Sequence, residues 1–213
     1  ILLTLVNVVY GAFIAMVQKD FKYIIGFSSV SHMGLVMLGF ATLNLQGMTG
    51  AGLQMFSHGV MTALFFAVVG MVYDRAHTRQ IPELGGVAKR MPLVALAFIV
   101  GSLVSMGMPG FSGFVAEFPI FLGLWQSAPL VAIIAVFGIV ITAAYLMQAV
   151  GQIFFGEIPA KIEALLTPIN IGDRLALAIM TGLMVLIGIF PAVMAPMVES
   201  GAAAVLRLLG GGL

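Results

Sequence analysis

Three side chains of this chain have the chemistry to move protons: Glu117, His32 and His58. Glu117 is the only charge between Met91 and Gly156, and it follows the helix-breaking run Gly107-Met108-Pro109-Gly110. A charge at bilayer depth costs roughly 2.5–3.5 kcal/mol on insertion scales, which makes an intramembrane acid a functional candidate by default. Beside a broken helix, such an acid points to ion or proton movement; the alternative is a structural acid bonded to the opened backbone around Pro109 and Gly110. Between Tyr23 and Tyr73, His32 and His58 are the titratable side chains of consequence. An imidazole accepts a proton on one nitrogen and releases one from the other. Two of them on neighbouring helices, at similar depth and each with polar residues a turn away, therefore read as a relay. Structural burial and paired axial haem ligation are the other roles open to them. Lys22, which opens its helix after Gln18-Lys19-Asp20, is a fourth candidate. Its alternative is an interfacial lysine that snorkels to the headgroups.

Polar residues around these candidates recur at helical spacing. Ser28, Ser31 and His32 share one helix face, as do Gln54, His58 and Thr62 on the next helix, and Thr142, Tyr145, Gln148 and Gln152 on a later one. Lipid offers such faces no partners, so they must meet one another or water. Interhelical hydrogen-bond glue and a wetted path are both open readings of the Ser, Thr and Gln members.

The elements that carry these stripes are membrane helices. The chain is 62% hydrophobic and 8% charged, against about 25% charged in soluble domains, with a mean hydropathy of +1.18. Leu175 to Val198 carries no charge at all. The fold expected is an all-α polytopic membrane protein of about six transmembrane helices, near 2–18, 23–43, 51–73, 92–125, 130–156 and 174–196. Read as one helix, 92–125 would run about 51 Å, too long for a ~30 Å hydrocarbon core. Read as two, 92–106 and 111–125 reach only about 22 Å each. A single discontinuous helix, broken at 107–110 where proline removes a donor and clashes with the preceding turn, resolves both difficulties.

Loop charges agree with that choice. One broken span puts Lys19, Lys22, Arg75, Arg79, Lys89, Arg90, Lys161 and Arg174 on one membrane side and only Arg207 on the other. The positive-inside rule then makes the basic loops cytoplasmic (or matrix) and sends the C-terminus to the opposite side, with Trp125 at the far interface. The absence of cysteine excludes a cysteine-ligated iron–sulfur cluster, and no basic cluster suggests nucleic acid. Beginning at Ile1-Leu2-Leu3 inside an apolar helix, the chain reads as a piece of a longer membrane protein.

Residues 18–34, from Gln18-Lys19-Asp20-Phe21-Lys22 to Ser31-His32-Met33-Gly34, closely resemble the antiporter-like subunits of proton-pumping NADH:quinone oxidoreductase, respiratory complex I. So does Gln54-Met55-Phe56-Ser57-His58-Gly59. Residues 73–79, 85–92 and 107–118, the last ending Val115-Ala116-Glu117-Phe118, narrow the resemblance to the M-type branch, subunit 4 in mitochondria. The resemblance covers nearly the whole chain and weakens after Gly156. It implies the C-terminal half of such a subunit: residues 1–156 as the second of two inverted five-helix repeats, and 157–213 as a connecting loop, a final transmembrane helix and a tail. By position it implies that His32 and His58 match histidines passing protons along the membrane midplane. Glu117 matches the acid beside the exit half-channel, and Lys22 matches a family lysine. Glutamate at 117 is itself informative, because sister subunits and cation antiporters usually carry lysine there. The glutamate–lysine pair of the family's first repeat is absent from this sequence.

The expected function is therefore a proton-translocating membrane subunit of an NADH:quinone oxidoreductase, with no redox centre or cofactor in this chain. FMN, iron–sulfur clusters and quinone are expected in other subunits. The expected partners are other membrane subunits, neighbouring antiporter-like ones among them, and lipid. The membrane expected is a bacterial inner membrane in preference to the mitochondrial one. The competing readings are a subunit of a multisubunit Na⁺/H⁺ antiporter or membrane-bound hydrogenase, a haem-binding cytochrome, and a structural membrane spacer.

Overall fold

A computed structural model describes residues 1–210, which form helices and turns with one isolated bridge, Asp20–Gln80, and no strand. In chain order the helices are α1 (Leu2–Val17), α2 (Phe21–Ala41), α3 (Leu45–Ala76), α4 (Pro92–Ser105), α5 (Ser112–Ser127), α6 (Pro129–Phe154), α7 (Ala160–Glu163), α8 (Ile171–Ile189) and α9 (Ala195–Leu208). The protein is an all-α polytopic membrane protein, as its composition predicts. Local chemistry sets most boundaries. Asp20 caps α2, its carboxylate accepting from the backbone N–H of Lys22 at 2.8 Å and of Tyr23 at 3.4 Å. Asn44 caps α3 through the Gly47 N–H, and Asn170 with Asp173 forms a reciprocal capping box at the start of α8. Pro92 and Pro129 open α4 and α6 at positions where a missing N–H costs nothing.

The break expected near 107–110 is present. The 14 residues of α4 and the 16 of α5 reach only about 21 and 24 Å, so neither crosses the core alone. Between them Gly107 and Gly110 take φ of +63° and +94°, left-handed values that glycine adopts without steric cost. Pro119 inside α5 removes a second backbone donor and deprives the Val115 carbonyl of its helical partner.

Two elements differ from the expectation. Helix α3 is longer than the 51–73 span, 32 residues or about 48 Å, because the Asn44 cap starts it a turn and a half early. It must tilt or emerge from the core. The span expected at 174–196 stops at Ile189, where Pro191 interrupts it, and a separate helix, α9, follows. Helix α9 packs back on the start of α3, with Ala202 and Leu206 against Met48 and Val198 beside Gly52.

One end of the bundle gathers the basic loops. The backbone of Phe21 donates to the Arg79 carbonyl and that of Ile81 to the Lys19 carbonyl, both at 2.8 Å, stitching the α1–α2 turn to the α3–α4 loop. Arg75 ties α3 to the loop before α8 through the Thr167 carbonyl at 2.8 Å and to the first turn of α8 through Asp173 at 3.5 Å. Below this face Phe98 of α4 meets Phe21, Phe65 and Phe154 at centroid distances of 5.1, 4.9 and 5.1 Å, joining four helices. At mid-depth α3 and α5 come so close at Gly50 that a β-carbon there would lie 2.7 Å from the Ala116 carbonyl. That approach brings the polar stripe of α3 onto the acid of α5.

Candidate functional site

Glu117 lies on α5 a turn and a half past the break and is 2% exposed. Its Oε1 accepts from Gln54 Nε2 of α3 at 3.0 Å and stands 3.3 Å from His32 Nδ1 of α2. Its Oε2 is buried with no hydrogen-bond partner among the described residues. That oxygen faces Gly107, where a β-carbon would come within 2.9 Å of it. The glycine of the break thus makes room for the carboxyl as well as turning the chain.

His32 holds both halves of the broken helix. Its Nδ1 meets Glu117 on α5, and its Nε2 lies 2.8 Å from Ser105 Oγ, on the last residue of α4. With Glu117 ionised, Nδ1–H donates to the carboxylate and Nε2 accepts from the Ser105 hydroxyl. With Glu117 protonated, the carboxyl donates to Nδ1, and Nε2–H donates to Ser105. A proton carried on Oε1 thus goes with the reversed tautomer of His32 and a turned serine hydroxyl, whereas one carried on Oε2 leaves both as they are.

His58 on α3 follows, its ring centroid 5.3 Å from that of His32. Its Nε2 bonds Thr62 Oγ1 at 3.1 Å, while Nδ1 is buried without a protein partner among the described residues. Across α3 and α5, the hydroxyls of Ser57 and Ser112 pair at 2.8 Å. A cavity of about 10 Å³, room for about one water, is bordered by His32, Ser105, Glu117, Ser31 and Thr142. By contrast, a far larger space of about 720 Å³ between α4 and α8 is lined by apolar side chains apart from Arg174 and Thr181, and no carboxyl or imidazole borders it.

Three of the four residues singled out in the sequence thus meet, and the fourth stands apart. Lys22 is exposed in the first turn of α2, and its ammonium has no partner among the described residues; its neighbour Asp20 pairs with Arg79 at 3.5 Å instead. The polar stripes divide in use. Ser31 bonds the Val8 carbonyl of α1 at 2.8 Å, which is interhelical glue. Gln54 and His58 turn to the acid and its neighbours. On α6, Tyr145 and Thr142 are buried, whereas Gln148 and Gln152 are exposed. Ser105 and Ser112 were not legible as site residues, since a serine in an apolar helix is commonplace; the only signal was their position flanking the break. The haem alternative fits poorly, because both nitrogens of His32 and one of His58 are already engaged by protein groups.

Comparisons with known proteins place the chain in a family. A family model described as NADH:quinone oxidoreductase/Mrp antiporter, TM, matches residues 1–142. The chain is 36% identical over 197 residues to NADH-quinone oxidoreductase subunit M of Rhodobacter capsulatus, covering 92% of this chain and 38% of that protein. It is 37% identical over 210 residues to F(420)H(2) dehydrogenase subunit M of Methanosarcina mazei, covering 99% and 42%. Among solved structures, a chain of respiratory complex I from Thermus thermophilus with bound NADH superposes with a TM-score of 0.88 at 31% identity, over 98% of this chain and 44% of that one. A chain of the Mrp complex from Dietzia sp. DQ12-45-1b shares the fold, with a TM-score of 0.86 at 21% identity, over 95% and 46%. The chain spans less than half the length of each of these relatives.

Proposed function

The chain belongs to the NADH:quinone oxidoreductase/Mrp antiporter family of membrane proteins, and from that premise we propose that it is part of a proton-translocating subunit of an NADH:quinone oxidoreductase, in which Glu117 takes up and releases the transported proton. The observation that carries this reading is the contact of a buried, half-satisfied carboxyl with His32 beside the break of a helix.

In this mechanism a proton reaches His32 from the side of Ser105 and His58. The Ser105 hydroxyl donates to Nε2 as Nδ1 gives its proton to Glu117 Oε1, the ring staying neutral and its tautomer reversing. In the same step a protonated water on the proton path gives Ser105 Oγ a proton, so neither an alkoxide nor a hydroxide is left. Glu117, now neutral, turns its carboxyl away from His32 and releases the proton toward the end of the bundle away from the basic loops, and the His32 ring then returns to its first tautomer. By the positive-inside rule those loops are cytoplasmic and the release is to the opposite face. Lys22, at the basic face, takes no step at the cluster. Residues 1–156 form the proton-handling repeat, and the rest docks on it.

Moving one charge against 100 mV costs about 2.3 kcal/mol, and no group of this cluster can supply it. The drive comes from partner subunits, where FMN, iron–sulfur clusters and quinone belong, and the setting is a bacterial inner membrane. A sodium-carrying role, as in the related antiporters, is less well supported: Glu117 Oε1 is met by an amide N–H and an imidazole rather than by the opened backbone oxygens that hold sodium. The test is proton pumping beside NADH:quinone electron transfer in vesicles bearing the intact complex. Glu117→Gln is expected to abolish this subunit's share of pumping at full assembly, with no dependence of wild-type pumping on sodium. Normal pumping by the variant, or a sodium requirement, contradicts the proposal.

A further inference from the structure

The site has polar neighbours on two sides, and the second set runs toward the basic loops. On α6, Thr142, Tyr145, Gln148 and Gln152 follow one another at intervals of three and four residues, so they share a face that descends from mid-depth to the basic end. At the top, Thr142 borders the small cavity that also holds His32, Ser105 and Glu117. At the bottom, Gln148 and Gln152 line a cavity of about 440 Å³ together with Gln18 and Lys19 of the α1–α2 turn and Ile81 and Leu84 of the α3–α4 loop. That space has room for several waters. Between the two lies Tyr145, 1% exposed, whose hydroxyl donates to Ser28 Oγ at 2.7 Å with Thr142 Oγ1 at 3.5 Å. Gln148 is one turn below, about 4.5 Å along the axis.

We propose that Tyr145 closes a second, water-accessible lead to the Glu117 cluster, opening on the basic-loop face through Gln148 and Gln152. These two glutamines border a basin built by this chain's own loops, where water can meet their amides. The tyrosine serves as both plug and bridge. Its ring fills the passage, while its hydroxyl takes a proton from a protonated water of the basin as its own passes to Ser28 Oγ, which gives its hydroxyl proton on to water at the small cavity, so no charge remains on either side chain. A cluster with a lead to each face loads from one side and unloads to the other, with the acid in the middle. The inference rests on the reading of Glu117 as the proton carrier, but the passage itself is tested without any pumping assay.

The described residues, like the whole chain, contain no cysteine, so a cysteine placed in the intact complex reports its own position once the unsubstituted complex is subtracted as background. The probe is a membrane-impermeant methanethiosulfonate added from the basic-loop face. Gln148→Cys and Gln152→Cys are expected to react, and Met147→Cys, exposed on the neighbouring face of α6, is not. Thr142→Cys is expected to be inert alone and to react at least tenfold faster when combined with Tyr145→Ala. An inert Thr142→Cys in an assembled Tyr145→Ala complex, or a shielded Gln148→Cys, overturns the proposal. Tyr145→Phe keeps the bulk and removes only the hydroxyl, so it covers the case in which the alanine variant fails to assemble. It is expected to leave Thr142→Cys inert and to slow proton uptake from the basic face about tenfold; unchanged uptake overturns the proposal. Loss of pumping is not needed for the labelling result, so failure of the lead and failure of the Glu117 reading give different patterns.

Discussion

A carboxyl, an imidazole and a hydroxyl in series act as one unit, and Ser105 is the member whose role is most specific. Ser105→Ala leaves His32 Nε2 without its partner at 2.8 Å, removing a bond worth about 1 kcal/mol. Pumping is expected to fall about five- to tenfold while the complex assembles normally, with Ser105→Thr restoring it, because the hydroxyl and not the side-chain volume is what His32 reads. Equal pumping by the alanine variant would show that protons reach Glu117 by another route. Glu117 stood out in the sequence because it is alone: one charge in a run from Met91 to Gly156. The histidines stood out for the same reason. Ser105 did not, since its meaning comes from a residue 73 positions away on another helix, a contact that only folding creates.

Among the elements, the break between α4 and α5 is where backbone and chemistry meet, and its two glycines separate the contributions. At Gly110, φ is +94° and a β-carbon would meet nothing within 4 Å; at Gly107, φ is +63° and a β-carbon would press on Glu117 Oε2. A non-glycine residue in left-handed backbone costs roughly 1–2 kcal/mol. Gly110→Ala is therefore expected to lower the stability of the assembled complex and keep its pumping ratio, whereas Gly107→Ala loses both. Thermal unfolding paired with pumping per electron checks this, and identical ratios in the two variants would mean that Gly107 shapes only the turn. The break itself was legible, from the run Gly107-Met108-Pro109-Gly110 and from a span too long for one crossing. Helix α9 was not. The charge-free run from Leu175 to Val198 reads as one span, and Pro191, the residue that ends it, was outweighed by hydrophobicity. The start of α3 was missed because Asn44 as a cap is a short-range signal set against an already sufficient apolar run.

Across the whole molecule, stability and chemistry occupy different depths. The aromatic knot of Phe21, Phe65, Phe98 and Phe154 lies toward the basic face, and the polar cluster lies at mid-depth. Phe98 is fully buried, and truncating a buried phenylalanine costs about 3–5 kcal/mol. Phe98→Ala is expected to reduce the amount of assembled complex sharply and leave pumping per electron unchanged in what assembles; a changed ratio would couple the knot to the proton path. The central claim concerns one atom group, the Glu117 carboxyl, and whether it gains and loses a proton in each cycle. The most direct measurement is the infrared difference spectrum of the intact complex between resting and turning-over states, in the region of protonated carboxyl C=O bands. The account predicts a band that appears and disappears with turnover, shifts in D₂O and is missing in Glu117→Gln. A spectrum in which the variant and the wild type show the same carboxyl bands would contradict it.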